Sequence, residues 1–69
     1  MKKVDARGRS CPEPVVMARK AILADAEGAE VLVDNPTAAE NITRFATNAD
    51  YQVRREENGE EIKLVLTKQ

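Results

Sequence analysis

The sequence predicts an α/β fold: a two-layer sandwich in which a mixed four-stranded sheet, built in the order β-α-β-α-β-β, carries two helices on one face. Three observations predict it. Two stretches, 15–26 and 38–49, repeat apolar residues at three- and four-residue spacing, the mark of amphipathic helices. The segments between them are short, contain β-branched residues and are bounded by Gly, Asn or Pro. The chain then closes on two alternating runs separated by Asn58-Gly59. Strands joined through a helix pair in parallel and a tight turn makes an antiparallel pair, so the sheet is mixed. Right-handed crossovers bring both helices to the same face. With 69 residues, one domain spanning 1–69 is expected.

The first strand is predicted over Lys2–Ala6, where Val4 stands in a polar frame, and it ends at the Arg7-Gly8 turn. A helix should begin at Cys11, because Pro12 fixes φ for the first helical position and pushes the residue before it out of the α region. Its stripe is Val15, Ala18, Ile22 and Ala26, widened by Val16 and Leu23, and it is expected to end near Glu27-Gly28. The continuous run Val31-Leu32-Val33 reads as a buried strand, either covered on both sides or central in the sheet.

The second helix starts in Asn35-Pro36-Thr37. Either Asn35 caps it with Pro36 in first position, or Thr37 and Glu40 form a capping box. Ala38, Ile42, Phe45, Ala46 and Ala49 make its apolar face, and the turn at Asn48 to Asp50 ends it. The hairpin strands Tyr51–Glu57 and Glu60–Thr67 follow, with Ile62, Leu64 and Leu66 on the buried face and Tyr51 and Val53 beside them.

Composition narrows the function classes. Eleven basic against twelve acidic residues leave a net charge of −1, which gives no field to draw in nucleic acid or anionic lipid. One Tyr, one Phe and no Trp provide no stacking platform for single strands. No apolar run reaches the ~20 residues of a membrane span, and the Met-Lys-Lys start leads into polar sequence, so a cytoplasmic protein is expected. One cysteine and no histidine exclude an internal disulfide, a zinc site of soft ligands and any Cys–His or Ser–His dyad; neither metal nor cofactor is expected.

Chemistry concentrates at Cys11, the only soft nucleophile. A helix start presents unpaired N–H groups and a partial positive charge, worth ~0.3–2 kcal/mol to an anion, so it favours thiolate over thiol. Pro12 and Pro14 lack N–H groups, leaving the amides of Glu13 and Val15 as donors near the sulfur. Glu13 opposes ionisation, whereas Arg7 and Arg9 favour it. With no base nearby, such a thiol suits group transfer between partners better than hydrolysis. An isolated cysteine in a small domain can also be inert filling, but the flanking Ser10 and Pro12 at the end of a polar loop argue for access. Asp5 is expected to order the Arg7–Ser10 loop by hydrogen bonding, and Arg54-Arg55-Glu56-Glu57 to form a solvated strand edge that discourages strand addition.

The run Asp5-Ala6-Arg7-Gly8-Arg9-Ser10-Cys11-Pro12-Glu13-Pro14-Val15 resembles the D-x-R-G-x-x-C-P-x-P signature of the TusA/SirA/YedF family of small sulfur carriers. The resemblance continues through Asn35-Pro36-Thr37 and Ile42 to Phe45, and is nearest to the N-terminal domain of the YedF branch, associated with selenium metabolism. It implies the same two-layer sandwich, similar to the C-terminal domain of a translation initiation factor. It further implies that Cys11 takes sulfane sulfur as a persulfide from a cysteine desulfurase or rhodanese-type donor and hands it to a downstream acceptor protein. Arg7, Gly8, Pro12, Glu13 and Pro14 would support that sulfur site. A non-catalytic docking module that binds a transporter or a sulfur or selenium enzyme is the alternative, and it predicts that Cys11→Ser keeps function.

Overall fold

The structure is a computed structural model and describes residues 2–9 and 13–68. Its elements are β1 (Lys2–Asp5), α1 (Glu13–Ala24), β2 (Gly28–Val33), α2 (Pro36–Asn48), β3 (Tyr51–Asn58) and β4 (Glu61–Lys68). The strands lie in the order β1-β2-β4-β3. β1 runs parallel to β2 with Val4 opposite Val31, while β4 runs antiparallel to both β2 and β3. The predicted mixed sheet with two helices on one face is the fold observed.

Alternation along the strands decides which face is covered. Ala29, Val31 and Val33 of β2 and Ile62, Leu64 and Leu66 of β4 are buried, and they meet Ala18 and Ile22 of α1 and Ala39, Ile42 and Ala46 of α2. Ile42, Leu64 and Leu66 are fully enclosed, so truncating any one to alanine is expected to cost ~2–5 kcal/mol. The alternate residues Glu30 and Leu32 are half-buried on the other face, so the Val31–Val33 run takes the central place and not cover on both sides. That outer face carries charge: Lys63 Nζ lies 3.5 Å from a Glu30 carboxylate oxygen and 3.4 Å from one of Glu56.

Helix α1 departs from expectation on its buried stripe and its end. Pro14, Ala18, Ala21 and Ile22 face the core, whereas Val16 and Leu23 are exposed, Leu23 by 73%. A single helix lying over β1 and β2 buries only a narrow stripe, and 16 and 23 fall on the opposite side of it. The helix stops at Ala24, leaving Ala26 outside it and exposed. Gly28 therefore opens β2 rather than ending α1. Its φ is +143°, and a Cβ there would collide with the Leu66 carbonyl oxygen on the neighbouring strand. Tyr51 secures the preceding turn, its hydroxyl donating to the Ala26 carbonyl at 2.9 Å.

At the start of α2 the first of the two capping alternatives holds. Asn35 is extended and its side-chain oxygen accepts from the Ala38 N–H at 2.8 Å, with Pro36 opening the helix. Ala49, expected on the apolar face, is the exposed residue at the helix's end. The hairpin turn is shifted by one residue from Asn58-Gly59. Asn58 pairs with Glu61, so Gly59 and Glu60 form the two-residue loop, with Gly59 at φ +66° in the first central position, where a type II′ turn places glycine. The shift offsets the pairing by two residues, and since side chains alternate with period two, every residue keeps its predicted face.

Candidate functional site

Ser10, Cys11 and Pro12 lie outside the described residues, so the site is built from the loop that leads to them and the helix that follows. The loop begins where β1 ends. Ala6, buried, donates its N–H to the Leu32 carbonyl at 2.8 Å and so extends the β1–β2 pairing by one bond. The chain then turns over Ala6–Arg9, closed by the Arg9 N–H to the Ala6 carbonyl at 3.3 Å, with Gly8 at φ +74°. A glycine at the third position with positive φ is what a type II turn requires.

Arg7 braces this turn. Its Nε and Nη2 donate to the two carboxylate oxygens of Asp5 at 2.9 Å each, and its Nη1 donates to Glu61 Oε2 at 2.6 Å. Asp5 also accepts the Arg7 backbone N–H at 3.1 Å, so the expectation that Asp5 orders the loop holds for Arg7. These hydrogen bonds from Arg7 hold the Asp5 carboxyl down to about 2, and the two carboxylates push the Arg7 guanidinium up. The Arg7 charge is thus matched by Asp5 and Glu61. Arg9, the other expected cation, lies 3.3 Å from Glu13 as an exposed ion pair across four residues.

On the far side of Cys11, Pro14 is fully buried and pins the first turn of α1 into the core, with the half-buried Val15 packed beside it. Pro14 thus contributes packing as well as a missing N–H. Arg9, Pro14, Val15, Asn35, Thr37, Ala38 and Asn41 line a small cleft between the starts of the two helices. Across the loop, a shallower depression is bordered by Asp5, Arg7, Gly8, Asp34, Glu60 and Glu61. One side of the loop is therefore rich in carboxylates and the other is lined by helix starts. Among the described residues no group of three or more metal-ligating side chains assembles.

Two residues to which the sequence assigned no part in the site take part. Asp34 Oδ2 accepts the Gly8 N–H at 2.9 Å, and Glu61 accepts from Arg7. They are 26 and 54 positions from their partners. For Asp34 the sequence signals are its place beside the capping Asn35 and in the Val33-Asp34-Asn35 run that carries part of the family resemblance, and for Glu61 there is none.

The profile of the family described as sulfurtransferase TusA matches residues 2–68. A candidate sulfur carrier protein of Methanocaldococcus jannaschii is 42% identical over 71 residues, covering 99% of this chain and 95% of that one. The crystal structure of a SirA-like protein from Desulfitobacterium hafniense superposes with a TM-score of 0.88 at 32% identity, over 97% of this chain and 96% of the other. The loop, the cysteine that it leads to and the proline-framed helix start thus stand in a chain that belongs to the TusA family.

Proposed function

We propose that this chain is a sulfur carrier that relays sulfane sulfur as a persulfide on Cys11. The observation that carries the reading is that the one thiol of a TusA-family chain lies two residues before helix α1. The Cys11 thiolate attacks the outer sulfur of a donor persulfide, the donor's S–S bond breaks, and the donor cysteine leaves as thiolate. Cys11 then holds the outer sulfur until an acceptor thiolate attacks it and Cys11 leaves in turn. Each step exchanges one S–S bond for another, so no external oxidant or reductant enters. The same exchange can move selenium on the same atom.

A helix start suits this cargo because both the attacking thiolate and the bound persulfide are anions. The absence of histidine fits a relay, since the donor presents sulfur already activated and no base need act on water. A cysteine desulfurase or a rhodanese-type protein is the proposed donor and a second sulfur-handling protein the acceptor. The reducing cytoplasm, where a lone thiol stays free, is the proposed place of work. Among the described residues no helix is long and apolar enough to cross a membrane.

Intact mass after incubation with a cysteine desulfurase and cysteine, or with a sulfur-loaded rhodanese, tests the reading. A one-sulfur increment removed by dithiothreitol and absent from Cys11→Ala is expected. No increment with either donor, or one that persists in Cys11→Ala, overturns it.

A further inference from the structure

We propose that Asp34 is a positioning residue for Cys11: its carboxylate, spanning the Gly8 amide and the capping Asn35, fixes the loop that carries the cysteine against the start of α2. The proposal rests on the carrier reading for its purpose and on the geometry around Gly8 for its substance.

Asp34 stands between Val33, which ends β2, and Asn35, which caps α2. Its Oδ2 accepts the Gly8 N–H at 2.9 Å, and its Oδ1 accepts from Asn35 Nδ2 at 3.4 Å. Asn35 in turn accepts the Ala38 N–H, so the hydrogen bonds run from the turn before Cys11 into the first turn of α2. The Ala6–Arg9 turn closes through Arg9 and leaves the Gly8 N–H to find an acceptor outside the turn. Asp34 supplies it.

Three ties hold the first half of the loop: Ala6 to Leu32, Arg7 to Asp5 and Glu61, and Gly8 to Asp34. The first two fasten it to the sheet; only the third reaches the joint of β2 and α2, and it is the tie nearest Cys11 in sequence. Beyond Cys11, Pro14 is sunk in the core. The chain is therefore fixed on both sides of the cysteine, which limits the conformations from which the thiol must be recruited for attack. The charged groups bordering the loop are Asp5, Arg7, Arg9, Glu13, Asp34, Glu60 and Glu61, drawn from β1, the loop itself, α1, the β2–α2 joint and the hairpin.

The sign of one measurement separates anchoring from plain charge. Deleting the Asp34 carboxylate with the loop still in place removes a negative charge from the segment tied to the turn before Cys11, and by charge alone that can move thiol ionisation only to lower pH. On the carrier reading, in which the helix start favours the thiolate, releasing the loop weakens that effect and moves ionisation to higher pH. The pH dependence of Cys11 alkylation by iodoacetamide is measured for wild type, Asp34→Ala and Asp34→Asn, together with the rate of sulfur loading from a cysteine desulfurase. In Asp34→Ala the alkylation profile is expected to move to higher pH, loading to slow about tenfold, and the Gly8 amide to exchange faster while that of Leu64 is unchanged. Asp34→Asn keeps an oxygen for the Gly8 N–H while losing the charge, so its loading is expected to stay near wild type and its alkylation profile to stay in place or move to lower pH.

An Asp34→Ala profile that is unmoved or moves to lower pH overturns the proposal, as does Asp34→Asn behaving like the alanine variant. Should Asp34→Ala not fold, Asp34→Ser, too short to span to Gly8, takes its place with the same expectations. If wild type takes up no sulfur the carrier reading fails, and the alkylation profiles still decide whether Asp34 anchors the loop.

Discussion

In the sequence each helix is led in by a residue followed by proline, Cys11-Pro12 and Asn35-Pro36, and the two lead-ins differ in what precedes and follows that proline. Before α2 the order is Asn35-Pro36-Thr37-Ala38, and the Asn35 oxygen takes the Ala38 N–H at 2.8 Å. Before α1 the order is Cys11-Pro12-Glu13-Pro14, so in the sequence a cysteine takes the place of the asparagine, and a second proline, without an N–H, takes the place of Ala38. The α2 start is closed by its own sequence, and the α1 sequence carries neither the amide side chain nor the N–H that make that closure. Position alone does not make a helix start functional; the difference lies in which donors the chain itself consumes.

Exchanging features between the two helix starts tests that contrast. The largest effect is expected from Cys11→Asn, which gives α1 the residue that caps α2. Mass spectrometry should find no sulfur adduct at all, while stability to urea changes by less than ~1 kcal/mol. Next is Pro14→Ala, which restores the fourth-position N–H and removes a fully buried ring. Lost apolar burial and a freer unfolded chain together should lower stability by about 2 kcal/mol in urea titration. If that variant loads sulfur as fast as wild type, the missing amide has no part in keeping the α1 start open.

Asn35→Ala opens the closed start. It should cost about 1 kcal/mol by the same titration and leave sulfur loading at Cys11 at the wild-type level. The smallest effect belongs to Asp5→Asn. The folded-state value of Asp5, held to about 2 by Arg7, lies below its ordinary 3.8, so its contribution is present above about pH 4 and is lost as pH falls toward 2. Thermal melts of wild type should drop across that window, and those of Asp5→Asn should drop less.

The order of elements, the faces of the strands and the capping choices at α2 are legible in the sequence because each rests on local spacing or on neighbouring residues. The α1 stripe is not, for a reason of size. Pro14 and Ala21 are weak hydrophobic signals beside Val16 and Leu23, yet geometry places the small residues against the sheet and the large ones outside. Asn58-Gly59 is a strong turn signal, but glycine's positive φ fits the first central position of one primed turn as readily as the second of another. At the site, the Asp5–Arg7 brace spans two residues and could be expected from the sequence. The links from Gly8 to Asp34 and from Arg7 to Glu61 depend on which segments the fold brings together, and no local pattern announces them.

The contact at Gly28 bears on how tolerance to change is interpreted in this molecule. No side chain fits there, because even a methyl would drive β2 from β4 where their pairing begins. A saturation screen would therefore score Gly28 as intolerant as the cysteine proposed to carry sulfur, although what a side chain would meet there is neighbouring backbone. Growth or abundance alone would class the two positions together, and only a chemical assay on folded protein tells a steric demand of the architecture from the seat of the proposed reaction.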